Sequence, residues 1–172
     1  MKITNFYKGL FAVLFVAAIV SFSSTGAKAQ EISGGLELAL PGGDLSDAVG
    51  TGIGISGRYE QGFGDKMSWL VDAGFISFAG KNSAPSVTTI PVQGGVKYYF
   101  QEQMKGFYGL AEIGFHSSSG GGYSATNLSY APAIGYHLEK FDLGLKYQVI
   151  NVSQGSASYI GIRVAYIFSG GK

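Results

Sequence analysis

The chain has 172 residues, a formal net charge of +1, 28 glycines and no cysteine. The missing cysteines exclude a disulfide-stapled scaffold, and the near-neutral charge excludes the basic patch that nucleic-acid binding needs. The length fits one domain, and glycines spread among 12 Phe and 11 Tyr are typical of a β-barrel rather than of a low-complexity chain.

The first 29 residues predict a secretory signal peptide. Lys2 and Lys8 give a positive start, and Leu10–Val20 is an apolar run too short for a membrane-spanning helix. Ala27-Lys28-Ala29 has the A-x-A form of a cleavage site. We expect residues 1–29 to be removed and residues 30–172 to form the folded domain. An N-terminal membrane anchor is the alternative.

Eight segments of the remaining chain have the two-residue alternation of a β-strand, and none has a convincing helical period. They are Ile32–Leu40, Thr51–Glu60, Met67–Phe78, Val87–Phe100, Phe107–His116, Asn127–His137, Phe141–Ile150 and Ser158–Phe168. Pro132 lies inside the sixth segment, where it removes a ladder hydrogen bond, and we expect a bulge there.

The connections between these segments fall into two classes. The short ones are Gln61–Lys66, Gln101–Gly106 and Leu138–Lys140. The others, mostly longer and rich in Gly, Ser, Asn and Pro, are Pro41–Gly50, Ala79–Ser86, Ser117–Thr126 and Asn151–Ala157. Such alternation is typical of a membrane barrel with short periplasmic turns and longer outer loops, in which an even strand number leaves both chain ends in the periplasm.

The two faces of the strands differ in bulk as well as in polarity. One face carries Trp, Tyr, Phe, Leu and Ile, and the other carries Gly, Ala and Ser with isolated charges. An eight-stranded barrel has room inside only for its own side chains, so the small face belongs inside. The sequence therefore predicts an all-β fold, an eight-stranded antiparallel up-and-down transmembrane β-barrel. A soluble exported barrel with an apolar interior is the alternative.

Aromatic residues support the membrane barrel because they gather at the two ends of the apolar face, where interfacial girdles form. The expected girdle beside the short turns consists of Tyr59, Trp69, Tyr98, Phe100, Phe107, Tyr136, Phe141, Tyr166 and Phe168. The opposite girdle consists of Phe75, Phe115, Tyr130 and Tyr147.

Charged residues on the small face form the candidate site, which we call the lumen charge network. It comprises Glu37, Arg58, Glu60, Asp72, Lys97, Glu112, Lys146 and Arg163. When the last strand closes against the first, Arg163 comes beside Glu37. Because a buried unpaired charge is costly, we expect balanced pairs that fill the lumen. The alternative is a gate or polar path for small ions or protons. A wide pore is disfavoured, since it needs about sixteen strands.

A lipid-modifying enzyme is a further hypothesis. His116, Ser117 and Ser118, with Glu112 nearby, weakly resemble the site of the lipid A deacylases. No surrounding motif accompanies them, and the two-residue alternation places His116 on the face toward the lumen rather than the lipid. The sequence shows no metal-ligand spacing, phosphate loop or nucleophile elbow. We therefore expect no enzyme activity, cofactor or metal.

Ile-Pro-Val-Gln-Gly-Gly-Val-Lys-Tyr-Tyr-Phe, residues 90–100, resembles the fourth strand of small outer-membrane β-barrel proteins of the Bacteroidetes, known as porin-family or outer-membrane β-barrel domain proteins. The resemblance implies a location in the outer membrane of a Gram-negative envelope, contact with its lipid, and insertion by the barrel-assembly machinery. It implies no single function. Phe168 fits the closing aromatic of such proteins, although Ser-Gly-Gly-Lys follows it.

We accordingly expect a monomeric barrel with a structural or surface-interaction role and no nucleic-acid partner. The alternatives are a narrow ion or small-solute channel and the lipid-modifying enzyme.

Overall fold

The structure is a computed structural model that describes residues 30–81, 85–101, 104–153 and 155–170. The expected signal peptide, residues 1–29, lies outside the described residues. Among those residues, no helix is long and apolar enough to cross a membrane.

Eight antiparallel strands close into a barrel in chain order, with β8 pairing β1. The strands are β1 (Gln30–Gly42), β2 (Val49–Gly62), β3 (Met67–Gly80), β4 (Val87–Tyr99), β5 (Gly106–Gly120), β6 (Tyr123–His137), β7 (Phe141–Val152) and β8 (Gly155–Gly170). A single helical turn, α1 (Leu45–Ala48), lies between β1 and β2. The predicted fold class and strand number are confirmed. We call the end with Gln30 and Gly170 the terminal end, and the opposite end the hairpin end.

The predicted alternation of short turns and long loops is wrong. β5 and β6 pair up to Gly120↔Tyr123, so most of the expected loop Ser117–Thr126 is strand. The hairpin closes through Gly121 and Gly122, whose positive φ angles of 57° and 82° suit a tight two-residue turn. The expected loop Asn151–Ala157 is likewise mostly strand, since Val152 pairs with Gly155. These serine-rich segments resemble loops in sequence. They are strands because their backbone groups pair with the other strand of the same hairpin.

The bulge expected at Pro132 is also wrong. The β6–β7 register is the same before and after the proline, at Tyr130↔Val149 and Ala133↔Lys146, so the ladder is interrupted without an extra residue. The Gln148 side chain donates a hydrogen bond to the Tyr130 carbonyl at 3.1 Å beside this interruption. Register shifts occur instead between Ile32 and Ser33 and between Val49 and Gly52.

The barrel is apolar outside and polar inside, as the volume argument predicts. Leu36 and Ile53 are 66% and 68% exposed, whereas Lys97 and His116 are 0% exposed. Val149, expected on the outer face, is buried instead and lies in register between Tyr130 and Ser158.

Aromatic rings contact one another on the outer surface near the terminal end. The pairs are Tyr59–Trp69, Tyr98–Phe100, Phe107–Tyr136, Phe141–Tyr166 and Tyr166–Phe168, with ring centroids 4.7–5.8 Å apart. They are the residues predicted for this girdle. Toward the hairpin end, Phe75, Phe115, Tyr130 and Tyr147 are exposed on the same outer face.

Two apolar clusters lie inside the barrel, one at each end. The hairpin-end cap consists of Ala39, Val49, Ile76, Phe78, Ile150 and Tyr159, with Leu45 of α1 packed against it. The terminal-end cap consists of Leu70, Tyr99, Met104, Tyr108 and Leu110. Met104 comes from the β4–β5 connection and has a positive φ of 54°. The terminal-end cap is interleaved with the charged residues, because Leu70 lies directly opposite Glu60 and Leu110 directly opposite Lys97. The hairpin-end cap lies beyond them, next to Glu37.

Candidate functional site: the lumen charge network

All eight residues of the lumen charge network lie inside the barrel, and none is more than 7% exposed. Strand alternation puts their side chains on the inner face, and the register then aligns them. Glu37 is directly opposite Arg163 on β1 and β8, and Arg58 is directly opposite Asp72 on β2 and β3. The structure therefore brings together the whole set that the sequence singles out.

Arg58 lies at the centre of the network and binds carboxylates from several strands. Its Nη2 is 3.2 Å from Asp72 Oδ2 and 2.9 Å from Glu112 Oε1. Its Nη1 is 3.8 Å from Asp142 Oδ1. Glu112 is on β5 and Asp142 on β7, so these contacts cross the lumen. The charges thus form a cross-linked network and not only a ring of pairs between neighbouring strands.

Asp142 is a member of the network that the sequence reasoning missed. Its carboxylate is 3.1 Å from Lys97 Nζ and 3.2 Å from Arg163 Nη1, and it accepts a hydrogen bond from the Tyr108 hydroxyl at 3.0 Å. Asp142 is the second residue of β7 and lies four positions before Lys146, so the two-residue period puts both side chains on the same face. Applying this period to the whole of β7 could have identified Asp142 from the sequence. It connects the positive groups of β2, β4 and β8.

Lys97 is fully enclosed. Its ammonium is 2.7 Å from Glu60 Oε2 and 4.1 Å from the centre of the Tyr108 ring. Glu60 in turn accepts hydrogen bonds from Ser68 and from the Tyr99 hydroxyl, the latter at 2.6 Å. The pair is therefore closed off by the rings of the terminal-end cap.

Glu37 is surrounded by donors from three other strands. It accepts a hydrogen bond from the Ser56 hydroxyl at 2.8 Å, and it lies 3.6 Å from Arg163 Nε and 3.7 Å from Lys146 Nζ. Arg163 also donates to Ser56 at 3.0 Å and to Ser33 at 3.1 Å. Small hydroxyl residues thus bridge the longer charged side chains, as the small inner face predicts.

The network contains more carboxylates than the sequence reasoning counted. Within the described part of the chain, the buried carboxylates are Glu37, Glu60, Asp72, Glu112 and Asp142, and the buried cations are Arg58, Lys97, Lys146 and Arg163. The imidazole of His137 lies 3.5 Å from Asp142 and 3.5 Å from Glu31, where a protonated ring adds positive charge.

The centre of the lumen is tightly filled. A cavity of about 10 Å³ is bounded by Arg58, Glu112, Lys146 and Arg163 among others, which is space for about one water molecule. Glu37 Oε2, Arg58 Nε and Glu112 Oε2 have no hydrogen-bond partner among the residues that the structure describes. This cavity can hold an isolated water molecule and is too small for a solute.

His116 is inside the barrel and is bound by residues other than its neighbouring serines. Its Nδ1 is 2.8 Å from the Ser129 hydroxyl and its Nε2 is 3.1 Å from the Tyr159 hydroxyl. Ser117 accepts a hydrogen bond from Thr126, and Ser118 donates one to Thr89. The His–Ser arrangement considered for a lipid-modifying site therefore has no support in the geometry. Within the described residues, no group of three or more His, Cys, Asp or Glu could hold a metal ion.

No protein-family model matches the chain. No curated protein matches it in sequence either.

The fold is similar to solved outer-membrane barrels. The attachment invasion locus protein Ail of Yersinia pestis has a TM-score of 0.56 and 16% identity, with 83% of this chain and 100% of that chain covered. The Neisserial surface protein A, NspA, has a TM-score of 0.54 and 16% identity, with 81% and 99% covered. The N-terminal β-barrel domain of Pseudomonas aeruginosa OprF has a TM-score of 0.53 and 13% identity, with 84% and 100% covered. At these identities the likeness shows the fold alone.

Proposed function

We propose that this chain is an integral outer-membrane β-barrel with a plugged lumen, and that its role is structural or surface interaction rather than transport. The observation that carries the proposal is the buried lumen charge network, which fills the barrel interior together with the two apolar caps. The proposal includes no catalytic step and no cofactor.

The outer surface supports a membrane location. Side chains such as Leu36 and Ile53 project outward over the middle of the barrel, and aromatic rings stand at both ends of this apolar belt. A lipid-exposed barrel needs such a belt between aromatic girdles, and closure leaves no strand edge inside the bilayer. The likeness to outer-membrane barrels and the expected signal peptide agree with this location. In the proposed arrangement, membrane lipid contacts the apolar belt. The chain is a monomer that the barrel-assembly machinery inserts.

The interior supports a plug rather than a channel. An ion crossing the lumen must pass both caps and separate pairs such as Arg58–Glu112 and Lys97–Glu60. Removing one partner of a buried pair costs about 3–5 kcal/mol, and several pairs lie along the path. A narrow channel therefore requires rearrangement of the network, whereas a structural or surface role requires none.

Conductance across planar bilayers tests the proposal. We expect refolded protein of residues 30–172 to show heat-modifiable gel migration, which identifies a folded barrel, and no discrete conductance steps. Steps of porin size would contradict the plug, and small cation- or anion-selective steps would favour the narrow channel.

A further inference from the structure

Two gaps divide the ladders of the barrel wall. The pairs between β3 and β4 skip Gly74 and Phe75. The pairs between β6 and β7 skip Ala131 and Pro132. The register is the same on both sides of each gap, so neither gap contains an extra residue. Among the described residues, the other ladders have no such gap and depart from register only near a strand end.

A proline explains each gap, because proline lacks the N–H that a ladder needs. Successive N–H groups of an antiparallel strand point to opposite neighbours. The N–H of Tyr99 donates toward the β3 side at 2.7 Å, and Pro91, an even number of residues earlier on β4, faces the same side. The N–H of Leu138 donates to the first residue of β7 at 2.8 Å, and Pro132 likewise faces β7. Each gap therefore lacks one donor across the boundary.

The two prolines lie on either side of β5, and neither interrupts the ladder to it. Pro91 is directly opposite His116 and Pro132 is directly opposite Ala111, both within ladders that have no gap. β4, β5 and β6 therefore form a continuous three-stranded unit, which we call the β5 panel. Its boundaries with β3 and with β7 are the two proline seams.

The ion pairs across the lumen join the β5 panel to the rest of the wall. Arg58 of β2 is 2.9 Å from Glu112 of β5. Lys97 of β4 is 2.7 Å from Glu60 of β2 and 3.1 Å from Asp142 of β7. Each of these contacts has one partner on the panel and one outside it, so each opposes separation of the panel.

Two tyrosine hydroxyls add to these links. Tyr99 of β4 donates a hydrogen bond to Glu60 at 2.6 Å, and Tyr108 of β5 donates one to Asp142 at 3.0 Å. Both bonds again join the panel to strands outside it. The interior thus holds together a unit whose two edges are each weakened by a proline.

The β6–β7 seam is the weaker of the two seams. A groove of about 330 Å³ lies along it on the outer surface, lined by Pro132 and Tyr147 among others. Toward the hairpin end, the described residues of this ladder form only two pairs beyond the gap. We therefore expect this seam to open first.

We propose that the β5 panel separates from the rest of the wall as one unit at the two proline seams, and that the lumen charge network is the latch that keeps it closed. Local opening follows the boundaries that break the fewest interactions, and the seams are such boundaries. The movement opens the barrel sideways through its wall rather than along its axis. It goes beyond the structural or surface role proposed above.

Amide hydrogen exchange on the mature chain in lipid nanodiscs tests the panel. By the alternation described above, the N–H groups of Gln93 and Ile134 point across the two seams, and we call them the seam amides. Those of Val96 and Ala133 point toward β5, and we call them the panel amides. We expect the seam amides to exchange at least about tenfold faster than the panel amides.

Replacing each proline tests whether the panel moves as one unit. Pro132→Ala restores a donor at the β6–β7 seam, and Pro91→Ala restores one at the β3–β4 seam. Because one opening breaks both seams, either substitution should slow exchange of both seam amides by about threefold or more. Pro85→Ala is the control, since Pro85 is exposed and lies outside the strands, and it should leave the rates within about twofold.

Removing two hydroxyls tests the latch. Tyr99→Phe with Tyr108→Phe deletes both tyrosine links, and we expect the seam amides to exchange at least about fivefold faster while the panel amides stay within about twofold. Ser118→Ala is the control, because its hydroxyl bonds Thr89 within the panel at 3.1 Å. It should leave the seam amides unchanged.

Three results would overturn the proposal. Equal exchange of seam and panel amides would show that no panel separates. A proline substitution that slows only its own seam would show two independent openings. Acceleration of seam and panel amides alike in the tyrosine variant would show general loosening instead of a latch.

Heat-modifiable migration is scored first, and it separates this proposal from the membrane location. A chain that folds only in detergent micelles and does not enter nanodiscs contradicts the location, and the same exchange comparison is then made in the micelles. A barrel that enters nanodiscs and shows equal exchange of seam and panel amides contradicts only the panel.

Discussion

Arg58 on β2 reaches across the lumen to Glu112 on β5, with 2.9 Å between Nη2 and Oε1. The two residues are 54 positions apart, and their strands are not neighbours in the barrel. The pair therefore links opposite walls, and its strength contributes to the stability of the closed barrel.

Arg58→Met should destabilise the barrel by about 3–5 kcal/mol, because it leaves Asp72, Glu112 and Asp142 without their shared guanidinium. Adding Glu112→Gln removes one of these carboxylates. The double variant should lose about 1–3 kcal/mol less stability than the sum of the two single losses. Urea unfolding in lipid vesicles, followed by gel migration, measures all three. Strictly additive losses would show that the two side chains are not coupled.

Asp142→Asn should cost at least about 3 kcal/mol, because Lys97 and Arg163 each lose a carboxylate within 3.2 Å. The matched control is Glu139→Gln, which removes an exposed carboxylate 3.5 Å from Lys105 and should change stability by less than about 1 kcal/mol. The same urea titration compares them. Equal midpoints for the two variants would contradict the central position of Asp142.

Met104→Ser should open the terminal-end cap. Met104 is buried against Tyr99, Tyr108 and Leu110, and replacing its thioether by a hydroxyl removes apolar cover at a cost of about 2–3 kcal/mol. We also expect faster exchange of the Lys97 amide in nanodiscs. Met67→Ser is the control, because Met67 is exposed at the barrel rim. If the two variants unfold at the same urea concentration, Met104 does not close the lumen.

Gly135→Ala should disrupt the interior more than its size suggests. A Cβ at position 135 would collide with the Tyr108 ring and hydroxyl and with the Leu143 carbonyl. Moving Tyr108 breaks its hydrogen bond to Asp142, so we expect a loss of about 1–3 kcal/mol or more. Gly109→Ala on β5 is the control, since its Cβ would meet nothing within 4 Å. Equal stability of both variants would show that the barrel wall yields at Gly135.

Much of the fold follows from the sequence because two simple rules govern it. A two-residue period assigns each side chain to a face, and closure of an even number of strands pairs the last with the first. These rules suffice to identify the eight strands and the contact of Glu37 with Arg163. The apolar exterior follows only when the small interior volume of an eight-stranded barrel is also considered.

Other features depend on distances across the lumen, which the two-residue period of the strands does not determine. The tilt and diameter of the barrel decide that Arg58 reaches Glu112, and no pattern of neighbouring strands predicts that contact. Asp142 and His137 stand at strand ends, where the parity rule was not applied. The serine-rich segments around Gly121 look like loops because their outward and inward side chains are both polar, so alternation is invisible there.

The contact of Arg163 with Glu37 also has a consequence for the order of assembly. Before β8 pairs with β1, Glu37 has no contact with Arg163. Asp142 also lacks this guanidinium until β7 and β8 have paired. A half-inserted sheet would expose these carboxylates to hydrocarbon, which is strongly unfavourable. For the membrane barrel proposed above, we therefore expect insertion and closure to be coupled, because β8 supplies the guanidinium that neutralises Glu37 of β1.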